Sequence, residues 1–243
     1  MMIDARLLII GVGEALAFGV GAWAVVYYAT YAVRSQVLGQ TIWRGNTERA
    51  LVALTFDDGP SPDTPVVLDV LKAHNLKATF FMIGQAVEQF PQVARRIVAE
   101  GHEIGNHSYS HPIYLFRTAG ETSRQLEQAQ GVLEQTTGVR PALSRPPCGV
   151  RTRAYFGATQ RLGLRTVQWD VAGFDWKQLS AEQIADNVLK GAQAGSIILL
   201  HDGDSTNKHD RRQTIAALPR IIEGLSTRGL RIAPLAEVLD GVN

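Results

Sequence analysis

Downstream of residue 48, short runs of β-branched, aromatic and aliphatic residues alternate with longer stretches whose apolar positions recur every three or four residues. The short runs predict strands at Ala50–Phe56, Ala78–Ile83, Glu103–Asn106, Ala142–Arg145, Arg165–Trp169, Ser196–Leu200 and Leu230–Ala233. Helices are predicted between them near Thr64–His74, Gln85–Ala99, Thr122–Thr137, Thr152–Leu162, Ala181–Gly191 and Gln213–Arg228. In the first of these, Val66, Val67, Val70 and Leu71 share one face, and Pro65 suits a first turn. Gly101, Gly138, Gly163, Gly195 and Gly229 sit where helix C-caps would hand the chain to the next strand. Strands interleaved with helices pair in parallel, so the pattern predicts a single α/β domain. A small β/α barrel is expected, with an open doubly wound sheet as the alternative. Neither G-x-G-x-x-G nor G-x-x-x-x-G-K-[ST] occurs, which weakens the dinucleotide and nucleotide readings of such a sheet.

The N-terminal pattern is different. The 27 residues Leu7–Val33 carry one charge, Glu14, and the nineteen from Ala15 to Val33 carry none. As a helix those nineteen would measure about 28 Å, close to the ~30 Å of membrane hydrocarbon. Trp23, Tyr27, Tyr28 and Tyr31 lie toward its C-terminal half, where an interfacial belt belongs. The expectation is an uncleaved single-pass transmembrane helix, with residues 1–34 as anchor, 35–47 as linker and 48–243 as the domain. A signal peptide cleaved at Ala22-Trp23-Ala24 and a buried core helix are the alternatives. Arg6 on one side, against Arg34, Arg44 and Arg49 on the other, favours a cytoplasmic domain by the positive-inside count.

Charge narrows the functional classes. Twenty-four Lys and Arg against 23 Asp and Glu leave a net +1. No basic surplus remains to grip a phosphate backbone, so nucleic-acid binding is not expected, and no protein partner is predicted. The lone Cys148 cannot close an internal disulfide.

Unusual polar residues gather just after the predicted strands, at the edge where parallel β/α folds build their sites. Adjacent strand residues point to opposite faces, so Asp57 and Asp58 can serve one centre only if Gly59-Pro60 turns the chain there; a solvated Asp-rich turn is the plainer reading. His107 and His111, four apart, would lie on one side of a helical turn, a spacing that suits a divalent metal, or they are two exposed histidines. With one carboxylate they would make a facial set with open positions, for which Zn²⁺ is the usual occupant. His201 ends an apolar strand and reads equally as a hydrogen-bonded core histidine. Arg145 is either a surface charge or the cation that keeps a neighbouring carboxylate ionised. His74 and His102 read as structural, and His209 is given no role.

Taken together and in order, T-F-D-D-G-P at Thr55–Pro60, H-S-x-x-H at His107–His111, R-P-P-x-G at Arg145–Gly149, D-W at Asp175–Trp176 and L-L-H-D at Leu199–Asp202 resemble the signatures of the polysaccharide deacetylase family (the NodB homology domain, carbohydrate esterase family 4). The resemblance covers about residues 48–240 and implies a distorted (β/α)7 barrel. It implies Asp58, His107 and His111 as metal ligands, most simply for Zn²⁺. Asp57 would be the general base with Arg145 as its partner, and His201 the general acid tuned by Asp175. Leu199 and Trp176 would wall the acetyl pocket, and the backbone N–H of Cys148 would face the oxyanion. The implied activity is metal-dependent hydrolysis of N-acetyl groups on amino sugar polymers, peptidoglycan or chitin-like, with release of acetate. An acetylxylan-type O-deacetylase, a small-amide amidase and a silent carbohydrate-binding homologue are the alternatives. Because such polymers lie outside the cell, the resemblance places the domain on the outer side of the cytoplasmic membrane, against the arginine count. Two positions depart from the family pattern: Cys148, often Tyr, and Ala172 beside Gly173, where many relatives carry Asp.

Overall fold

The computed structural model describes residue 19 and residues 21–206 and 208–241. Among these, β1 (Leu51–Asp57), β2 (Thr79–Met82), β3 (Glu103–Asn106), β4 (Leu143–Ser144), β5 (Arg165–Thr166), β6 (Val171–Ala172), β7 (Ile197–His201) and β8 (Arg231–Ile232) form one parallel sheet. Its order is β5-β4-β3-β2-β1-β7-β6, with β8 paired to the start of β1. The helices Thr64–Ala73, Ala119–Thr137, Arg153–Arg161, Ala181–Gly191 and Arg212–Thr227 fall close to their predicted spans.

Alternation along β1 explains how the sheet is held. Val52, Leu54 and Phe56 belong to the larger apolar cluster, with Leu68 and Leu71 of helix Thr64–Ala73, Val188 of helix Ala181–Gly191 and Leu218 of helix Arg212–Thr227. Leu51 and Ala53 belong to a smaller inner cluster with Phe81, Ile197, Leu235 and Val238. Both faces of β1 are therefore covered, which is why it reads as a continuous apolar run. Toward its C-terminal end the inward positions become Thr55 and Asp57, so the inner core stops short and leaves a polar mouth.

The sheet has eight strands where seven were expected, and it curls into a half-barrel that stays open between β5 and β6. The predicted strand Arg165–Trp169 is divided. Its first part pairs with β4, Val167 bridges to Ile42, and the chain then crosses to pair Val171–Ala172 with β7. At the crossing, the Asp170 carboxylate replaces a ladder carbonyl: it accepts the Ile197 N–H (2.8 Å) and the Ser196 hydroxyl (3.0 Å). The single helix expected over Gln85–Ala99 is two, Gly84–Gln89 and Pro91–Ala99, because the residue before a proline is barred from the helical region and Phe90 adopts φ −126°.

Residues 36–46 lie against the domain. The Ile42 N–H donates to the Thr166 carbonyl (2.9 Å), the Gln168 N–H to Ile42 (2.7 Å) and the Gly45 N–H to Gly195 (2.7 Å). Of the expected membrane segment, residues 1–18 and 20 lie outside the described residues. Residues 21–31 are helical, and among the described residues no helix is long and apolar enough to cross a membrane.

Two glycines test the packing. Gly131 lies inside helix Ala119–Thr137 with open space around its Cα, so Gly131→Ala should stabilise the protein by about 0.5–1 kcal/mol in denaturant titration. A Cβ on Gly105 would overlap the buried Phe81 ring, so Gly105→Ala should destabilise it by roughly 1–3 kcal/mol in the same measurement.

Candidate active site and metal centre

Parallel pairing in register brings the strand ends to one edge: Asp57 lies opposite both Phe81 and His201, and Asn106 opposite Ser144. After Asp57 the chain turns at once, with Asp58 at φ +74°, and this left-handed residue sends the second carboxylate to the same side as the first. Gly59 makes the turn possible, since a Cβ there would overlap the Asp202 carboxylate. His107 and His111 do converge, but from a loop rather than the helical turn expected. Ser108 (φ +69°) and His111 (φ +56°) are both left-handed, the Ser108 N–H donates to Asn106 Oδ1 (2.9 Å), and the His111 N–H donates to Ser108 Oγ (2.9 Å). Non-glycine residues in this region cost of order 1–3 kcal/mol each, and here they cluster around one centre.

Asp57 is tied on one side. Arg145, fully buried, donates from one guanidinium nitrogen to Asp57 Oδ1 (2.7 Å) and Thr55 Oγ1 (2.8 Å), and from the other to the Gln168 carbonyl (3.0 Å). The cation also lies 4.1 Å from the centre of the Phe81 ring. Asp57 Oδ2 is turned the other way, 3.8 Å from His107 Nε2.

Asp58 Oδ1 lies 3.4 Å from His107 Nε2 and 3.2 Å from His111 Nε2. His107 Nδ1 is 2.7 Å from the Arg145 carbonyl, which can only accept, so the ring proton sits on Nδ1 and Nε2 presents its lone pair. The buried Asp58 Oδ1 has no hydrogen-bond partner among the described residues. A carboxylate oxygen and imidazole lone pairs facing one another repel unless a cation sits among them. One ligand atom from each of Asp58, His107 and His111 lies within 4.8 Å of the others, so this trio fits a divalent metal. Burial would raise Asp58, but positive charge on the imidazole side of the cluster outweighs it and holds the carboxyl well below its usual range. Burial also lowers His111 to about 4, keeping that ring neutral.

Across the mouth, His201 is paired with Asp175. Its Nδ1 lies 2.8 Å from Asp175 Oδ1, while its backbone N–H (2.8 Å) and the Thr214 hydroxyl (2.9 Å) donate to Oδ2. Burial opposes a charge on the ring, but the Asp175 carboxylate prevails and raises His201 to about 9. Trp176 stands edge-on to this imidazole at 5.4 Å, and Leu199, two residues before His201, shares its face of β7 and is buried. Cys148 sits at the rim with φ +54°; burial, and then the charges of Asp58 and Asp57, push its thiol up, so it is no ready thiolate. A cavity of about 290 Å³ opens beside Asp58 and His111, lined also by Gln85, Phe90 and Asp204.

The structure thus brings together Asp57, Asp58, His107, His111, Arg145, Asp175 and His201, with Cys148, Trp176 and Leu199 around them. His102 is the structural residue expected: its Nδ1 accepts the Ala78 N–H (3.1 Å). Sequence reasoning missed Thr214, which lies 39 positions from the carboxylate it supports and carries no motif. It also missed Asp202, the last letter of L-L-H-D. Its carboxyl packs beneath Gly59, accepts from Thr64 Oγ1 (2.6 Å) and is pushed up to about 7, chiefly by burial.

A family model described as polysaccharide deacetylase matches residues 44–167. A peptidoglycan-N-acetylglucosamine deacetylase of Bacillus cereus is 41% identical over 192 residues, 79% of this chain and 69% of its own length. A chitooligosaccharide deacetylase of Azorhizobium caulinodans is 38% identical over 210 residues, 82% of this chain and 99% of its own. The crystal structure of the Bc1960 peptidoglycan N-acetylglucosamine deacetylase, in complex with an N-oxidanyl-benzamide, matches with a TM-score of 0.78 at 39% identity, covering 82% of this chain and 92% of that one.

The trio makes a direct prediction. Zn²⁺ added to chelator-stripped protein should raise the thermal unfolding midpoint, by the equivalent of about 2.7 kcal/mol at a hundredfold excess over Kd. Asp58→Asn should abolish the rise, and in the parent it should shrink at acid pH as protons compete for the imidazoles.

Proposed function

The chain belongs to the polysaccharide deacetylase family, and on that premise we propose that it is a metal-dependent N-deacetylase of amino sugar polymers, peptidoglycan or chitin-like chains. The observation that carries this reading is the unpartnered Asp58 oxygen facing two imidazole nitrogens, with the Asp57–Arg145 pair on one side and the Asp175–His201 pair on the other. Asp58, His107 and His111 hold the metal in this proposal, with Zn²⁺ as the expected ion. When bound, it supplies a water acidic enough to ionise near neutral pH and a Lewis acid for the acetyl carbonyl.

The remaining chemistry belongs to the side chains. Arg145, itself held by Thr55 Oγ1, anchors Asp57 through Oδ1, which leaves Oδ2 as the oxygen that removes a proton from the attacking water. Asp175 holds His201 through Nδ1, so the imidazolium presents its Nε2 proton to the nitrogen that leaves as the C–N bond breaks. That protonation turns a poor amide leaving group into a neutral amine and releases acetate. The Cys148 backbone N–H stabilises the developing oxyanion, and Leu199 and Trp176 enclose the methyl group. We place the domain outside the cytoplasmic membrane, on the strength of where such polymers lie.

The test is acetate release by the full chain from N-acetylglucosamine oligomers, peptidoglycan and acetylxylan, with chelator and with metal restored. Activity on the first two that chelation removes and metal restores is expected; release indifferent to chelation contradicts the proposal. The Asp175–His201 pair adds a pH prediction. The acid must be protonated, so activity should fall on the alkaline side near pH 9. Asp175→Asn withdraws the charge that favours imidazolium, so the alkaline limb should move down toward the ordinary histidine range, with a rate loss of roughly 10²–10⁴-fold.

A further inference from the structure

Arg151 is fully buried, yet among the described residues its guanidinium donates to backbone carbonyls rather than to an acid. One guanidinium nitrogen donates to the Gly149 carbonyl (2.7 Å), another to Ala32 (2.5 Å), and its backbone N–H donates to Thr30 (3.0 Å). Ala32 and Thr30 close the C-terminal end of helix 21–31, where the aligned peptide dipoles carry partial negative charge and so offset a cation. The other end of the clasp holds the site: Gly149 (φ +69°) follows Cys148 (φ +54°), and the Gly149 carbonyl also accepts from Gln168 Nε2 (2.9 Å). Arg151 therefore ties two consecutive left-handed residues at the mouth of the site to the end of a helix. Ala29, Thr30 and Ser35 are buried there, so the helix end is packed rather than dangling.

The clasp also delivers an aromatic column. Tyr31 lies between the clasped residues Thr30 and Ala32, which sets it on the side of the Cys148 loop, and the Tyr31, Tyr27 and Trp23 rings stack along the helix at 5.4 Å intervals. Each is substantially exposed. This segment precedes residue 44, where the family match begins, so the shared domain does not supply it.

We propose that the end of helix 21–31 is part of the active-site rim, with Arg151 as a positioning residue for the Cys148 loop and Tyr31 as an added contact for the sugar chain. The proposal rests on the deacetylase reading, with the polymer as occupant. In the metal-loaded full chain, Arg151→Lys keeps the charge but offers a single nitrogen in place of the planar fork that reaches the two carbonyls. It should lower kcat roughly 10- to 100-fold per metal bound, with KM little changed, because the loop carrying the oxyanion donor is displaced. A purely structural Arg151 would lower the unfolding midpoint and leave kcat per bound metal at the parent value, and that result overturns the clasp. Tyr31→Ala should weaken calorimetric binding of N-acetylglucosamine oligomers roughly 3- to 10-fold, with a loss that grows with oligomer length. Unchanged oligomer binding, alone or with lost affinity for anionic phospholipid vesicles, would overturn the sugar contact. Calorimetry needs no turnover, so a parent that binds oligomers without releasing acetate refutes the deacetylase reading separately.

Discussion

A buried carboxylate oxygen held against two imidazole nitrogens is tolerable only with a positive charge among them, and the architecture of the mouth is arranged around that demand. The Arg145 carbonyl fixes the His107 tautomer, the left-handed turns at Asp58, Ser108 and His111 aim the side chains inward, and Gly59 leaves room for the approach. None of these local conformations is favoured by the residues themselves. They are held by the parallel sheet beneath, whose two apolar clusters set the strand ends in register.

The same mouth separates two acid–base environments within one small space. Asp57 is paired with a buried cation, and His201 is paired with a buried carboxylate. Removing one partner from such a pair leaves an uncompensated buried charge, typically 3–5 kcal/mol of destabilisation. The pairs are therefore structural and chemical at once. Arg145 also rests on the Phe81 ring, so packing inside the half-barrel reaches the candidate base directly.

Much of this was legible in the sequence because each cluster follows a strand whose apolar run marks it. Asp57-Asp58, His107, Arg145, Asp175 and His201 all stand where a hydrophobic segment stops. What was not legible depends on contacts remote in the chain. The break between β5 and β6 follows from the Asp170 carboxylate capturing the Ile197 N–H 27 residues away. The support that Thr214 gives Asp175 comes from a helix with no motif, and the Arg151 clasp joins residues 119 apart. The His107–His111 spacing led to the right juxtaposition through the wrong geometry: a loop with two left-handed residues does what a helical turn was expected to do.

The most direct measurement is anomalous X-ray scattering at the zinc edge from crystals of the zinc-loaded protein. A single strong peak about 2.0–2.2 Å from Asp58 Oδ1 and from the Nε2 atoms of His107 and His111 is the expected result. A zinc-replete protein whose anomalous peak lies elsewhere, with that trio bare, would contradict it.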